Sequence, residues 1–281
     1  MNRETVQSIG MSTGIFNNIK GIILDMDGVL WAADHPLLDM PRFFSGVREL
    51  GIPVVFATNN GTRSISMYVE RLAGFGVPVE PWQVVNSAIA TADYLAKLFP
   101  AGGPVFVVAE AGVIEALEEK GFFLAGENDD PVAVIAGMDR AMSYNKLAKA
   151  ALLIRAGKLF IGTNPDLTFP TPYGLVPGAG ATIAYLEAAT SVKPVIIGKP
   201  EPHLYRFSIE RLGMLPEETL AVGDRLETDI LGGQLTGCKT VLVLSGVSSA
   251  QDAAAYQPQP DLVIPNLADL LPILEAAIRQ E

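Results

Sequence analysis

Short apolar runs that each stop on a polar or acidic residue, and that alternate with helical patterns, constrain this chain more than any other feature. Lys20–Asp25 (KGIILD) reads as a buried strand ending at an Asp, and Pro53–Ala57 (PVVFA) as a second strand ending in Thr58-Asn59-Asn60-Gly61. Helices are predicted near Pro41–Leu50 and over Ser64–Gly74, each closed by glycine. The theme returns late in the chain. Val195–Ile197 runs into Gly198-Lys199-Pro200, Thr219–Val222 into Gly223-Asp224, and Thr240–Leu244 and Asp261–Ile264 follow, with helices predicted from about Glu227 and over Leu267–Arg279. Fully apolar strands separated by helices belong to a parallel sheet covered on both faces.

The middle of the chain is punctuated differently. Pro100-Ala-Gly-Gly-Pro104 and Ser191-Val-Lys-Pro194 read as hinges or linkers. Between them lie strand-like Val105–Ala109, Val132–Ala136 and Leu159–Gly162, helical Gly112–Lys120 and Ser143–Ala156, and a further helix starting near Gly178. We therefore expect a smaller α/β domain, residues 100–192, inserted into a discontinuous α/β core made of 1–99 and 193–281. Residues 1–18 are expected to be a flexible leader.

Composition narrows the function classes. The 281 residues carry a formal charge of -11, and 49% are hydrophobic. That excludes disorder and argues against a polyanion binder, which would need clustered Lys and Arg. Neither nucleic acid nor membrane is an expected partner. A single cysteine, Cys238, cannot form an intramolecular disulfide, so a cytoplasmic setting with a small buried Cys238 is the expectation.

Four motifs sit where strand C-terminal ends are expected, which is where open α/β sheets bind ligands. Asp25-Met26-Asp27-Gly28 offers two carboxylates for nucleophilic and acid/base work or for a metal, the alternative being an acidic strand-end turn, which its place after an apolar strand disfavours. Thr58-Asn59-Asn60 can hydrogen-bond an anion or simply form an Asn-rich turn. Lys199 can neutralise a phosphate or lie solvated at a strand end. Asp224 and Asp229 in Gly223-Asp224-Arg225-Leu226-Glu227-Thr228-Asp229 are hard oxygen donors suited to Mg²⁺, or helix caps.

In this order, DxDG, TNN, GKP and GDxxxxD, the motifs resemble those of the haloacid dehalogenase (HAD) superfamily. Ala57–Arg63 (ATNNGTR), Gly162–Asp166 (GTNPD), Pro177–Ala181 (PGAGA), Gly198–Pro202 (GKPEP) and Gly223–Ile230 (GDRLETDI) look like its NagD / p-nitrophenylphosphatase branch. The resemblance implies a Rossmann-like, three-layer core with an inserted α/β cap of the C2 type, and Mg²⁺-dependent hydrolysis of a small phosphorylated metabolite or aryl phosphate. It implies Asp25 as nucleophile, forming an aspartyl phosphate, and Asp27 as general acid and then base. Thr58 and Lys199, with backbone N–H groups around Met26, Asp27 and Gly28, would hold the phosphoryl oxygens, and Asn59 would support that loop. Mg²⁺ would be held by Asp25, the Asp27 backbone carbonyl and Asp224, with Asp229 as a direct ligand or a partner acting through water.

The loop Thr163–Gly178, through Asn164, Asp166 and Tyr173, is expected to form a substrate-pocket wall, or only to stabilise a turn. Trp31, Asp34 and His35 are expected near the entrance, and His203 at a helix start. Phe169-Pro170 stands where pyridoxal-phosphatase-like relatives carry His-Pro, which counts against that substrate. A phosphotransferase using the same intermediate and a non-catalytic phosphate-ligand binder are the alternative functions. A homodimer through the cap is a further expectation of the resemblance.

Overall fold

The computed structural model describes residues 16–171 and 173–278. The described residues run through β1 (Gly21–Leu24), β2 (Trp31–Ala32), β3 (His35–Pro36), α1 (Met40–Glu49), β4 (Val54–Thr58), α2 (Ile65–Gly74) and β5 (Val84–Asn86). They continue through α3 (Ser87–Leu98), β6 (Gly103–Val108), α4 (Ala111–Glu118), β7 (Phe122–Leu124), β8 (Ala133–Ala136), α5 (Tyr144–Arg155) and β9 (Leu159–Gly162). Next come β10 (Thr168–Thr171), β11 (Gly174–Pro177), α6 (Ala179–Thr190), β12 (Val195–Ile196), α7 (Pro202–Leu212) and β13 (Thr219–Gly223). A π-helical turn (Leu226–Ile230), α8 (Leu231–Thr236), β14 (Lys239–Val243), α9 (Ala250–Ala255), β15 (Leu262–Ile264) and α10 (Leu270–Ile278) follow.

The described residues form two compact units: one of residues 16–57, 65–85 and 205–278, the other of 58–64 and 86–204. The second unit runs across both the 99/100 and the 192/193 boundaries suggested by the Pro/Gly punctuation. That punctuation marks the ends of elements, whereas compactness follows packing. The second unit accordingly takes in α3, which packs on α4, and β12, which pairs in parallel with β9.

The first unit holds a six-stranded sheet in the order β15-β14-β13-β1-β4-β5. Around β1 the pairing is parallel, with Leu24 level with both Val222 and Phe56. One sheet face presents Ile22, Leu24, Val54, Phe56, Leu220, Val222, Val241 and Val243 to a core shared with α1, α2 and α10. α1 shows why such helices form: Asp39 caps it by accepting the Arg42 N–H, and Met40, Phe43, Phe44 and Val47 line one stripe. Each such side chain contributes about 1.5–3 kcal/mol on burial. The opposite face packs Leu242 against Leu226, Ile230 and Ala253, so the unit is three-layered. From β1 the chain winds outward to β4 and β5, and the later strands fill the other side from β13. The switch point therefore falls between β1 and β13.

The second unit holds a five-stranded sheet, β12-β9-β8-β6-β7, parallel throughout. Val134, Ala136 and Phe160 pack there on Leu147, Ala150, Ile154, Ile183 and Leu186 of α5 and α6.

Three local expectations are corrected. Thr163–Gly178 is not one loop, because β10 and β11 pair as an antiparallel hairpin with a fully exposed Tyr173 near its tip. The helix expected from Glu227 begins as a π turn. The leader does not extend to residue 18, since Phe16 is buried in the core; residues 1–15 lie outside the described residues, as does Arg279 of the expected last helix.

Candidate active site

Asp25 follows β1 and Asp224 follows β13, so two adjacent parallel strands deliver their carboxylates to the same sheet edge at the switch point. The Asp25 N–H donates to the Val222 carbonyl (2.9 Å), which extends the ladder by one residue and fixes its height. Asp229 joins them from the π turn, and one carboxylate oxygen from each of Asp25, Asp224 and Asp229 lies within 4.8 Å of the others. Asp224 and Asp229 are 2% exposed and Asp25 is 9% exposed.

The π turn makes this convergence possible. Both the Asp229 and Ile230 N–H groups donate to the Arg225 carbonyl (2.9 and 3.2 Å), and the wider turn carries Asp229 inward. Asp229 Oδ2 accepts the Arg225 N–H (3.1 Å), and its own carbonyl accepts the buried Tyr205 hydroxyl (2.9 Å). The helix-cap and metal-ligand readings of Asp229 are thus compatible, since capping uses one oxygen.

Space around the carboxylates is reserved by glycines. A Cβ on Gly28 would lie 2.4 Å from Asp224 Oδ2, one on Gly246 1.9 Å from the same atom, and one on Gly223 2.2 Å from Asp229 Cβ. The loop after β14 holds Asp224 from the other side. Val247 N–H donates to Asp224 Oδ2 (2.8 Å), Ser248 N–H to the Asp224 carbonyl (3.0 Å), and Ser248 Oγ accepts the Leu226 N–H (3.1 Å). Ser245 Oγ donates to the Gly28 carbonyl (2.8 Å). Sequence reasoning did not single out Ser245–Ser248. Its position directly after the apolar run Thr240–Leu244 was the available signal, because the other motifs occupy the same place after their strands.

Three carboxylates this close repel one another by about 3.5 kcal/mol per pair at an effective dielectric of 20. All-oxygen, anionic and largely buried, the set fits a hard divalent cation such as Mg²⁺.

Asp27 lies beyond Asp25 and is exposed, while Met26 between them is fully buried. Trp31 is not at an entrance. It is fully buried, and its indole Nε1–H donates to Asp27 Oδ1 (2.8 Å). Gly28 (φ +82°) makes the turn and donates its N–H to the Trp31 carbonyl (2.8 Å). Asp34 and His35 are exposed on the hairpin side of this loop.

The remaining candidates meet in the second unit, organised by Asn59. Its Oδ1 accepts the Lys199 N–H (2.7 Å) while its Nδ2 donates to the Lys199 carbonyl (2.9 Å) and to Asp166 Oδ1 (3.3 Å). The Asn59 carbonyl accepts both Asn164 Nδ2 (2.9 Å) and Ser87 Oγ (2.6 Å). One amide side chain thereby ties the segment after β4 to the segments after β9 and β12. Gly198 permits the approach, for a Cβ there would meet Asn59 Oδ1 at 2.6 Å. Thr58 Oγ1 accepts the Asn60 N–H (3.1 Å), and Thr58, Asn59, Asn164 and Lys199 are all buried. Asn59, Asn164, Asp166, Glu110, Met138 and Phe169 are among the residues lining a pocket in this unit. Asn164 also accepts the Asp166 N–H (3.2 Å), so its side chain stabilises the turn and borders the pocket at once.

Comparison with known proteins decides the family. Residues 22–123 match the haloacid dehalogenase-like hydrolase family and residues 196–270 a HAD-hydrolase-like family. The chain is 35% identical over 255 residues to 5'-nucleotidase YutF of Bacillus subtilis, covering 91% of this chain and 98% of that one. It belongs to the HAD-like hydrolases. Acid sugar phosphatase of Staphylococcus aureus is likewise 35% identical, over 91% of this chain and 98% of its own. The crystal structure of 4-nitrophenylphosphatase from Thermotoga maritima superposes with a TM-score of 0.85 at 35% identity, covering 92% and 98%. NagD from E. coli K-12 does so with a TM-score of 0.83 at 36% identity, covering 89% and 98%. This HAD hydrolase is a phosphatase of the NagD-like branch.

The other reactive side chains of this HAD phosphatase have structural surroundings. Burial pushes the Cys238 thiol up to about 11, which keeps it protonated. His203 packs edge-on against Tyr94, with ring centroids 4.7 Å apart. Among the described residues, no helix is long and apolar enough to cross a membrane.

Proposed function

We propose that this phosphatase hydrolyses small phosphomonoesters through an aspartyl-phosphate intermediate on Asp25. The convergence of Asp25, Asp224 and Asp229 carries the proposal. Bound among these carboxylates, Mg²⁺ would offset the charge of nucleophile and phosphate, so that two anions can meet. An Asp25 oxygen attacks phosphorus as the bond to the leaving oxygen breaks, and Asp27 gives that oxygen its proton. Asp27 then takes a proton from water as water attacks the phosphoryl group, releasing inorganic phosphate and restoring Asp25. Thr58 and Lys199, with backbone N–H groups around Met26 and Asp27, would hold the phosphoryl oxygens, whereas the Gly28 N–H is taken by the Trp31 carbonyl. Asn59 keeps the Lys199 backbone in place through its paired hydrogen bonds.

Residues 100–192 act as the cap that selects substrate, with Asn164 and Asp166 on its pocket wall. The names of the relatives, 5'-nucleotidase, acid sugar phosphatase and 4-nitrophenylphosphatase, support nucleoside monophosphates, sugar phosphates and aryl phosphates as the substrate classes to assay. Asp25→Asn should abolish Mg²⁺-dependent phosphate release from 4-nitrophenyl phosphate while leaving the circular dichroism spectrum unchanged. Substantial residual hydrolysis in that variant overturns the covalent mechanism.

A further inference from the structure

We propose that Trp31 is a positioning residue that orients Asp27, so that Asp27 Oδ2 is the oxygen that delivers a proton to the leaving group. Asp27 is an exposed side chain on a loop, and an exposed carboxylate ordinarily samples several rotamers. Here its Oδ1 is held by the indole Nε1–H at 2.8 Å. The indole is itself immobile. It is fully buried, stacked on Phe75 (centroids 5.8 Å apart, planes 23° apart) and covered by the Arg71 guanidinium 4.2 Å from its ring centre. Arg71 is anchored in turn by the Ala33 carbonyl and by Asp34 (3.4 Å). An indole N–H donates and cannot accept. While it occupies Oδ1, a proton on Asp27 has its place on Oδ2, which fixes which oxygen faces the leaving group. A histidine or amide at position 31 could accept as well as donate, and would lose this constraint.

The inference rests on Asp27 acting as proton donor, and the test separates the two. Alkyl phosphates need a proton on the departing oxygen, whereas 4-nitrophenolate departs readily without one. kcat/KM reports the steps through cleavage of that bond, before water enters. We expect Trp31→Phe to lower kcat/KM for an alkyl ester such as glycerol phosphate by ~10–100-fold, and to lower it for 4-nitrophenyl phosphate much less. Asp27→Asn, measured in parallel, should show the same leaving-group bias more strongly. If Asp27→Asn lacks the bias, the proton-donor role of Asp27 fails. If Asp27→Asn shows it and Trp31→Phe slows both esters equally, Trp31 is only a packing residue and the proposal fails alone. Should Trp31→Phe not fold, 3-benzothienylalanine removes the N–H while preserving the ring. The chain has only two tryptophans, so a Trp82→Phe background confines the replacement to position 31. Equal losses on both esters in that protein overturn the proposal, and the leaving-group bias supports it.

Discussion

Replacing Gly246 by alanine tests how strictly the Asp224 carboxylate must stay where the fold puts it. The new Cβ would lie 1.9 Å from Asp224 Oδ2 and 2.5 Å from its Cγ. The closest approach is roughly 1.6 Å short of the ~3.5 Å at which such atoms rest. Gly246 does not adopt a left-handed backbone, so the penalty is steric rather than conformational. Relief requires Asp224 to swing away or the loop to back off. Either movement breaks the Val247 N–H to Oδ2 hydrogen bond, a bond to a charged group worth about 1.5–3 kcal/mol. Overpacking adds about 1–3 kcal/mol of lost stability. A displacement on the scale of 1 Å costs on the order of 100-fold in rate, and disturbed ligand orientation about 10–100-fold in metal affinity. The assay is 4-nitrophenyl phosphate turnover across a Mg²⁺ titration, with Mn²⁺ binding followed by calorimetry and unfolding by heat. Gly74→Ala, where nothing lies within 4 Å, is the control and should be neutral or slightly stabilising. Wild-type turnover and Mg²⁺ requirement in Gly246→Ala would show that Asp224 need not hold this position.

Three further outcomes follow from the same geometry. Asn59→Asp should be worse than a simple loss of one hydrogen bond, because an oxygen replaces the amide that donates to the Lys199 carbonyl. We expect kcat to fall at least ~10-fold and stability by about 1–3 kcal/mol, measured by turnover and urea denaturation. EDTA should abolish activity, excess Mg²⁺ should restore it, and Mg²⁺ at ~100 times its Kd should stabilise the fold by about 2.7 kcal/mol, read as a rise in Tm. A Tm indifferent to Mg²⁺ would count against the carboxylate cluster as its site. Cys238, buried and with its thiol pushed up to about 11, stays protonated up to about pH 9, so thiol reagents should label it only as fast as the protein unfolds.

Much of the candidate site was legible in the sequence because its residues stand at strand ends. Asp25, Thr58, Lys199 and Asp224 each stand within a few residues of the end of an apolar run, and the structure ends a strand close before or at each of them. Residues that act by filling space or by bonding across the chain were not legible in the same way. Trp31 was expected near the entrance, yet it is buried beneath Arg71. Gly246 carries no functional group at all, and its importance lies in an atom it lacks. The hairpin β10–β11 was hidden because Pro and Gly made Thr163–Gly178 read as a loop, although Thr168–Thr171 and Gly174–Pro177 pair across a short turn.

By itself the sequence determined the parallel α/β class, the order of the motifs and the residue types available for phosphate and metal chemistry. These are local matters of periodicity and of which side chains stand at strand ends. Only the tertiary structure decided that the first unit's sheet switches direction between β1 and β13, which sets Asp25 beside Asp224. It alone showed the π turn that brings in Asp229, and the reach of Asn59 across 140 residues to Lys199. Strand order and turn width depend on how all the apolar faces are buried together, and no local stretch of sequence contains that.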